Sequence, residues 1–138
     1  MRFAGYAALF DRPDRGGDVV RRGAFAASLA RGGSVPLLWQ HAPARPIGRI
    51  DYLKEDGRGL RVIGRLSDGA AGREAAALLR EGTVRGLSFG YRVREASGEG
   101  PRELKAVELV EVSLVTFPMQ PRARVHAVEG ALPGPEGG

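Results

Sequence analysis

Ser88 is the first residue of this sequence that could act as a nucleophile. Residues 86–90 read GLSFG, which fits the G-x-S-x-G pattern around the catalytic serine of α/β-hydrolases. That pattern needs a helix directly after the serine, whereas the following residues read FGYRVRE and alternate large apolar with basic side chains. The segment therefore predicts a continuing β-strand, and we reject the hydrolase interpretation.

A strand through Ser88 would carry different kinds of residue on its two faces. Four large side chains share the face that should meet the core, namely Leu87, Phe89, Tyr91 and Val93. Gly86, Ser88 and Gly90 share the other face, which predicts a shelf without bulky side chains and with one hydroxyl at its centre. Glycines in strands mark a close approach of another backbone, so the shelf fits either an extended peptide substrate or a neighbouring element of the protein.

His41 and Glu111 are the residues that could activate this hydroxyl, because a serine is a weak nucleophile until a base takes its proton. His41 ends the apolar segment VPLLWQH, and Glu111 lies in AVELVEVSLVTF, which is apolar on both faces and predicts a central strand. A buried carboxylate there needs a partner. An imidazole N–H would make Glu111 the third member of a Ser-His-acid triad, but any of the nineteen arginines could pair with it instead.

His126 offers an alternative base. It lies in RARVHAV, and the chain order Ser88, Glu111, His126 is that of the α/β-hydrolases. The neighbouring arginines disfavour the imidazolium that a catalytic base must become, so we expect His41 to be the base and His126 to be dispensable.

The elements that would position these residues are mostly strands. The 138 residues suffice for one domain, which we place at residues 1–129, followed by a flexible Gly/Pro-rich tail at 130–138. Patterns predict helices in AFAASLARGG and GREAAALLREG, and a hairpin from IGRIDYLKED through DGRG to LRVIGRL, with HAPARP as the preceding turn. We expect a mainly β fold with a few helices (α+β), built as a small closed β-barrel flanked by helices.

Composition excludes several classes of function. Without cysteine there is no disulfide, thiolate nucleophile or Cys-based zinc site. Two histidines provide few ligands for a His-rich metal site, so no cofactor is expected. We find neither a long apolar span nor a signal peptide and expect no membrane partner. The net charge of +5 comes from arginines spread along the chain, with few aromatic residues, so nucleic acid is not the expected partner, while an acidic partner is left open.

Several blocks together resemble one family, the prohead (procapsid) maturation protease of tailed phages of the HK97 type, which is related to the herpesvirus assemblins. The resemblance covers roughly residues 3–128, in the order GYAALF, GDVVRRGAF, VPLLWQH followed by PIGR, GLRVIGRL, LLREGTVRGLSFGYRV and VELVEVSLVTFPMQPRARV. One block departs from the family pattern, because PMQPRA stands where relatives usually have P-A-N-P-x-A. This difference lies in a turn and does not affect the candidate triad.

The resemblance implies a serine endopeptidase with an assemblin-like fold that cleaves capsid scaffolding segments, and in some cases itself, during procapsid maturation. The family's serine and histidine correspond to Ser88 and His41, and the acidic residue of its E-x-S-L-V block corresponds to Glu111. Assemblins use a second histidine as the third member, so His126 is the alternative to Glu111 in that role. No motif fixes the oxyanion donors, for which backbone N–H groups near Ser88 and the side chains of Arg122 or Arg124 are candidates.

The same resemblance implies partners and a location. The expected substrate is the scaffold region of the major capsid protein or a separate scaffold protein. The protease would be packaged inside the assembling procapsid in the host cytoplasm, encoded by a phage, a prophage or a phage-like particle, and a homo-oligomer is compatible with the family. Two rival interpretations are a catalytically inactive scaffold-binding barrel and a basic nucleic-acid-binding barrel.

Overall fold

The computed structural model describes residues 1–129, and the tail predicted at 130–138 lies outside the described residues. The described chain contains eight strands and two helices. The strands are β1 (Arg2–Leu9), β2 (Asp18–Val20), β3 (Leu37–Trp39), β4 (Ala42–Glu55), β5 (Gly59–Leu66), β6 (Gly86–Ser97), β7 (Arg102–Val115) and β8 (Val125–Val128); the helices are α1 (Ala26–Arg31) and α2 (Ala70–Glu81). Across residues 1–129, neither helix combines the length and the apolar character that crossing a bilayer would require.

All eight strands belong to one sheet, in the order β2-β7-β3-β4-β5-β1-β8, with β6 paired to the other side of β7. The ladders are antiparallel except for β2 and β3, which run parallel to β7. The mainly β fold with a few helices is thus confirmed. The closed barrel is not confirmed, because within residues 1–129 the two ends of the sheet meet only through an isolated bridge between Gly86 and Arg124.

Local sequence signals account for the hairpin and the longer helix. β4 pairs with β5 as predicted. Helix α2 is followed directly by Gly82, whose φ of 78° is the left-handed conformation that favours glycine after a helix. Its buried side chains Ala75, Ala76 and Leu79 lie on one side, as the helical period requires. The short strand β2 was not predicted, because three residues that pair with β7 in parallel are too few to show a periodic pattern.

A β-bulge in β7 decides which side chains reach the core. The register between β6 and β7 shifts beside Val110, so this residue has no partner in β6 and is 42% exposed. The shift reverses the alternation of faces, so Leu109 and Val112 are both buried in the core while Glu111 faces the other side. Simple alternation along AVELVEVSLVTF predicts Leu109 on the face of Glu111, and Val110 on the face of Val112. Both assignments were wrong because simple alternation does not include a bulge.

Candidate active site

His41 lies in a tight turn between two strands. Trp39 at the end of β3 pairs with Ala42 at the start of β4, which leaves Gln40 and His41 as a two-residue hairpin loop. Their φ angles are 50° and 61°, as a type I′ connection requires at both positions. The turn predicted in HAPARP was wrong, since β4 begins at Ala42. Each non-glycine residue in this conformation costs on the order of 1–3 kcal/mol, so the surrounding structure must hold the turn in place.

The side chain of Gln40 ties this turn to the end of β7. Its Nε2 donates a hydrogen bond to Thr116 Oγ1 at 2.6 Å, and its Oε1 accepts the backbone N–H of Thr116 at 3.1 Å. The backbone N–H of Gln40 donates to the carbonyl of Leu114 at 2.9 Å. These three bonds fix the residue directly before His41 and so limit where the imidazole can lie.

The imidazole of His41 meets the carboxylate of Glu111. The Nδ1–H of His41 donates to Glu111 Oε2, and the hydroxyl of Ser113 donates to Glu111 Oε1 at 2.7 Å. Ser113 Oγ also accepts the backbone N–H of His41 at 3.0 Å. Glu111 is 8% exposed, as expected for a central strand, and both its oxygens are paired. Within residues 1–129 no arginine forms an ion pair with Glu111, so the arginine alternative fails.

This contact sets the protonation of the imidazole. An ionised carboxylate only accepts hydrogen bonds, so the proton of a neutral His41 lies on Nδ1 and its Nε2 is free to accept another proton. The hydrogen bond to Glu111 and the attraction of its charge raise the pKa of His41 above the ordinary value, against the opposing effect of partial burial. Because the side chain is 40% exposed, the free nitrogen can be reached from solvent.

Ser88 lies on the neighbouring strand, next to this cluster. It is directly opposite Ser113 in the antiparallel pairing of β6 with β7, so the two side chains project from the same face. Cβ atoms of such pairs are about 4.5–5.5 Å apart. Ser88 is 5% exposed, and within the described chain no hydrogen bond joins it to His41. The sheet therefore brings Ser88, His41 and Glu111 to one face, around Ser113.

The two glycines beside Ser88 make room for other parts of the chain. A Cβ atom at Gly90 would lie 2.5 Å from Glu111 Oε2, and one at Gly86 would lie 2.8 Å from Cδ of Pro118. The interpretation that these glycines admit a neighbouring element therefore holds at both positions. That Gly86 and Gly90 also form a shelf for substrate stays a prediction.

His126 lies in a different environment. In β8, its Nε2 is 3.3 Å from Arg61 Nη1, and its ring centroid is 6.0 Å from that of Tyr6. Burial, followed by the charges of Arg61 and Arg58, lowers the pKa of His126. The alternative order ending in His126 thus lacks the contact with a carboxylate that it requires, because Glu111 is bonded to His41.

Three residues of the site were missed by the sequence patterns. Ser113 could have been noticed, because it is two residues after Glu111 and so lies on the same face of the strand. The polar contacts of Gln40 and Thr116 depend on the turn, which no local sequence pattern predicts. Arg122 and Arg124, the candidate oxyanion donors, lie on the segment that bridges to Gly86, just before Ser88.

Comparisons with known proteins agree on one family. The family model described as "Caudovirus prohead serine protease" matches residues 1–132. The chain is 33% identical over 136 residues to the prohead protease of Enterobacteria phage HK97, covering 92% of this chain and 60% of that protein. It is 31% identical over 129 residues to the capsid polyprotein of Pseudomonas phage PAJU2, covering 85% of this chain and 18% of that protein. The chain thus spans less than two thirds of either relative.

Solved structures share the fold. The capsid assembly protease of bacteriophage T4 superposes with a TM-score of 0.64 at 15% identity, covering 83% of this chain and 80% of that one. The protease of varicella-zoster virus superposes with a TM-score of 0.58 at 16% identity, covering 91% of this chain and 62% of that one. The predicted resemblance to herpesvirus proteases is therefore confirmed at the level of the fold.

Proposed function

The chain belongs to the caudovirus prohead serine protease family, and from this premise we propose that residues 1–129 form a serine endopeptidase domain that acts in procapsid maturation. The observation that carries the proposal is the hydrogen-bonded group of His41, Glu111 and Ser113 on the same face of the sheet as Ser88. A hydroxyl, an imidazole and a carboxylate in this arrangement are the parts of a Ser-His-acid triad.

In the proposed mechanism Ser88 is the nucleophile. His41 Nε2 takes the hydroxyl proton as Ser88 Oγ attacks the scissile carbonyl carbon, and the resulting imidazolium then gives this proton to the leaving amine. Water attacks the acyl-enzyme by the same route and regenerates the serine. Glu111 keeps the Nδ1–H tautomer and stabilises the imidazolium. Ser113 orients both partners, because its hydroxyl bonds to the Glu111 carboxylate and to the His41 backbone.

The substrate would bind as an added strand along β6. Apart from the bridge at Gly86, the described residues pair with β6 on one side only, through β7. Its other edge therefore leaves backbone donors and acceptors beside Ser88 for an extended peptide. This is the mode that would place a scissile bond against the serine.

We propose that the substrate is the scaffold region of the major capsid protein or a separate scaffold protein. Support comes from relatives whose names refer to the prohead and the capsid, including one in which the matching segment is part of a capsid polyprotein. The enzyme would act inside the procapsid, in the host cytoplasm. A homo-oligomer stays a prediction.

A serine-directed fluorophosphonate probe tests the site. We expect covalent labelling of the wild-type protein and none of Ser88→Ala. A folded wild-type protein that resists the probe would instead support the catalytically inactive scaffold-binding barrel.

Co-expression with the neighbouring capsid protein tests the substrate. We expect the capsid protein to be shortened, and its cleavage to stop with Ser88→Ala, since loss of a triad nucleophile lowers the rate by several orders of magnitude. Normal processing by a soluble, folded Ser88→Ala protein would refute the assignment.

A further inference from the structure

A cleft rich in arginine opens between the end of β1, the β4–β5 turn and β8. Its volume is about 550 Å³. None of its eleven lining residues is Ser88, His41 or Glu111. Five of the eleven are arginines and one is an aspartate; the arginines are Arg12, Arg22, Arg58, Arg122 and Arg124. Arginines that are spread along the sequence are thus gathered by the fold on one surface.

One wall of the cleft is built by an alternating segment. Ala123 and Val125 are each 1% exposed and belong to the buried core. The residues between and beside them, Arg122, Arg124 and His126, line the cleft. Packing of the small and β-branched residues therefore fixes the direction of the basic ones.

Most of this positive charge has no counterion in the cleft. Asp11 lies 3.9 Å from Arg22, but it also bonds to Arg21 at 2.8 Å. Within residues 1–129, the guanidinium groups of the other four arginines of the cleft have no carboxylate oxygen within 4.0 Å. The lowered pKa of His126, caused by burial and then by the charges of Arg61 and Arg58, agrees with a positive potential at this wall.

The cleft is attached directly to the strand that carries Ser88. The backbone N–H of Leu87 donates to the carbonyl of Ala123 at 2.9 Å, and that of Val125 donates to the carbonyl of Arg85 at 2.8 Å. The segment that lines the cleft is therefore paired to the same edge of β6 along which we propose that the substrate binds.

We propose that the arginine-lined cleft binds an acidic stretch of the polypeptide substrate, away from the bond that is cleaved. This inference rests on the proposed function. Guanidinium groups bind carboxylates through paired, charge-assisted hydrogen bonds, so several arginines around one concave surface suit several Glu or Asp side chains.

The lining favours a peptide over a nucleic acid. Single-stranded nucleic acids bind by stacking bases on aromatic faces. Here Tyr6 packs against His126 and Arg61 and donates its hydroxyl to Asp56, and Phe10 is only 6% exposed. The cleft therefore offers guanidinium groups without a free aromatic platform.

Fluorescence anisotropy with the Ser88→Ala variant of the 138-residue chain tests the proposal. The probe is a labelled peptide of alternating Glu and Ala, with a Gln/Ala peptide and a single-stranded oligonucleotide of equal length as comparisons. We expect the acidic peptide to bind tightest. The double variant Arg12→Ala/Arg58→Ala should weaken its binding at least about tenfold. The matched control, Arg73→Ala/Arg80→Ala, removes the same charge from α2 and should change binding less than about threefold.

A second readout is the NMR titration of the His126 imidazole, whose pKa should rise when the acidic peptide is bound, because carboxylates offset the arginine charges. Absence of saturable binding, equal weakening by both double variants, or tighter binding of the oligonucleotide would each overturn the proposal. Fluorophosphonate labelling of Arg12→Ala/Arg58→Ala should remain normal. If wild-type protein is not labelled but still binds the peptide, the proposed catalytic function is refuted, whereas the binding of acidic peptides by the cleft is supported.

Discussion

Replacing Glu111 by glutamine removes one negative charge and leaves the size of the side chain nearly unchanged. In the wild type, the buried carboxylate accepts bonds from His41 Nδ1 and Ser113 Oγ. A hydrogen bond to a charged group contributes about 1.5–3 kcal/mol, which corresponds to a roughly 10- to 150-fold lower rate if it is lost in the transition state. If the amide N–H₂ turns toward His41, the imidazole proton is held on Nε2 and the loss approaches about 10⁴-fold. We therefore expect Glu111→Gln to react roughly 10- to 10⁴-fold more slowly, depending on which way the amide turns.

The pH dependence provides the second part of this prediction. His41 acts as a base only when neutral, and its pKa is raised, chiefly by the bond to Glu111. The wild-type rate should therefore fall as the pH drops through a value above about 6.5. Glu111→Gln removes the main cause of this shift and leaves the effect of burial, which lowers the pKa. The decline should accordingly move to lower pH in the variant.

The rate constant of fluorophosphonate labelling, measured between about pH 5 and 9, suits this test because it needs no known substrate. Glu108→Gln is the matched control. It neutralises the carboxylate of Glu108, which lies on the same strand as Glu111 and pairs with Arg94. This variant should change neither the labelling rate nor its pH profile appreciably. Near wild-type labelling by Glu111→Gln, with an unchanged pH profile, would refute the role given to Glu111.

Further variants test other parts of the site with the same assay, after circular dichroism has shown that each is folded. His41→Ala should be as inactive as Ser88→Ala, whereas His126→Ala should keep most activity, and the reverse result would place the base at His126. Gly90→Ala should lower the labelling rate about 10²-fold, because its Cβ would lie 2.5 Å from the Glu111 carboxylate that orients His41. Full activity of this variant would show that the position of the Glu111 carboxylate is not critical. Gln40→Ala should lose about tenfold in rate and lower the free energy of unfolding by roughly 1 kcal/mol, since it frees the turn before His41; unchanged values would contradict the bracing role of this side chain.

The sequence predicted the elements better than their connections. The hairpin of β4 and β5 and the end of α2 at Gly82 follow from local turn and helix signals. The closed barrel was not confirmed, since closure depends on whether distant strand edges meet, and a strand's own pattern does not specify this. The turn at Gln40 and His41 was also missed, because Gln-His is not one of the Asn-Gly, Asp-Gly or Gly-Gly pairs that mark a type I′ turn in a sequence.

For the site, residue chemistry predicted more than periodicity did. The burial of Glu111 followed from the apolar residues around it, but the choice between an imidazole and an arginine partner needed the fold. Ser113 was given no role by the sequence pattern, since its two hydrogen bonds depend on where β3 ends. The partner of Glu111 and the hydrogen bonds of Ser113 both depend on contacts between separate strands, which a local sequence pattern does not specify.

The bulge at Val110 reverses the phase of β7 directly before the site. From Val107 to Leu109 the odd-numbered positions point inward, and after the bulge the even-numbered Val112 does. The distance along the chain from Leu109 to Glu111 is therefore as much a part of the site as the identity of either residue. A relative with one residue more or fewer at this point would exchange inside and outside over one half of the strand, even if every other residue were the same.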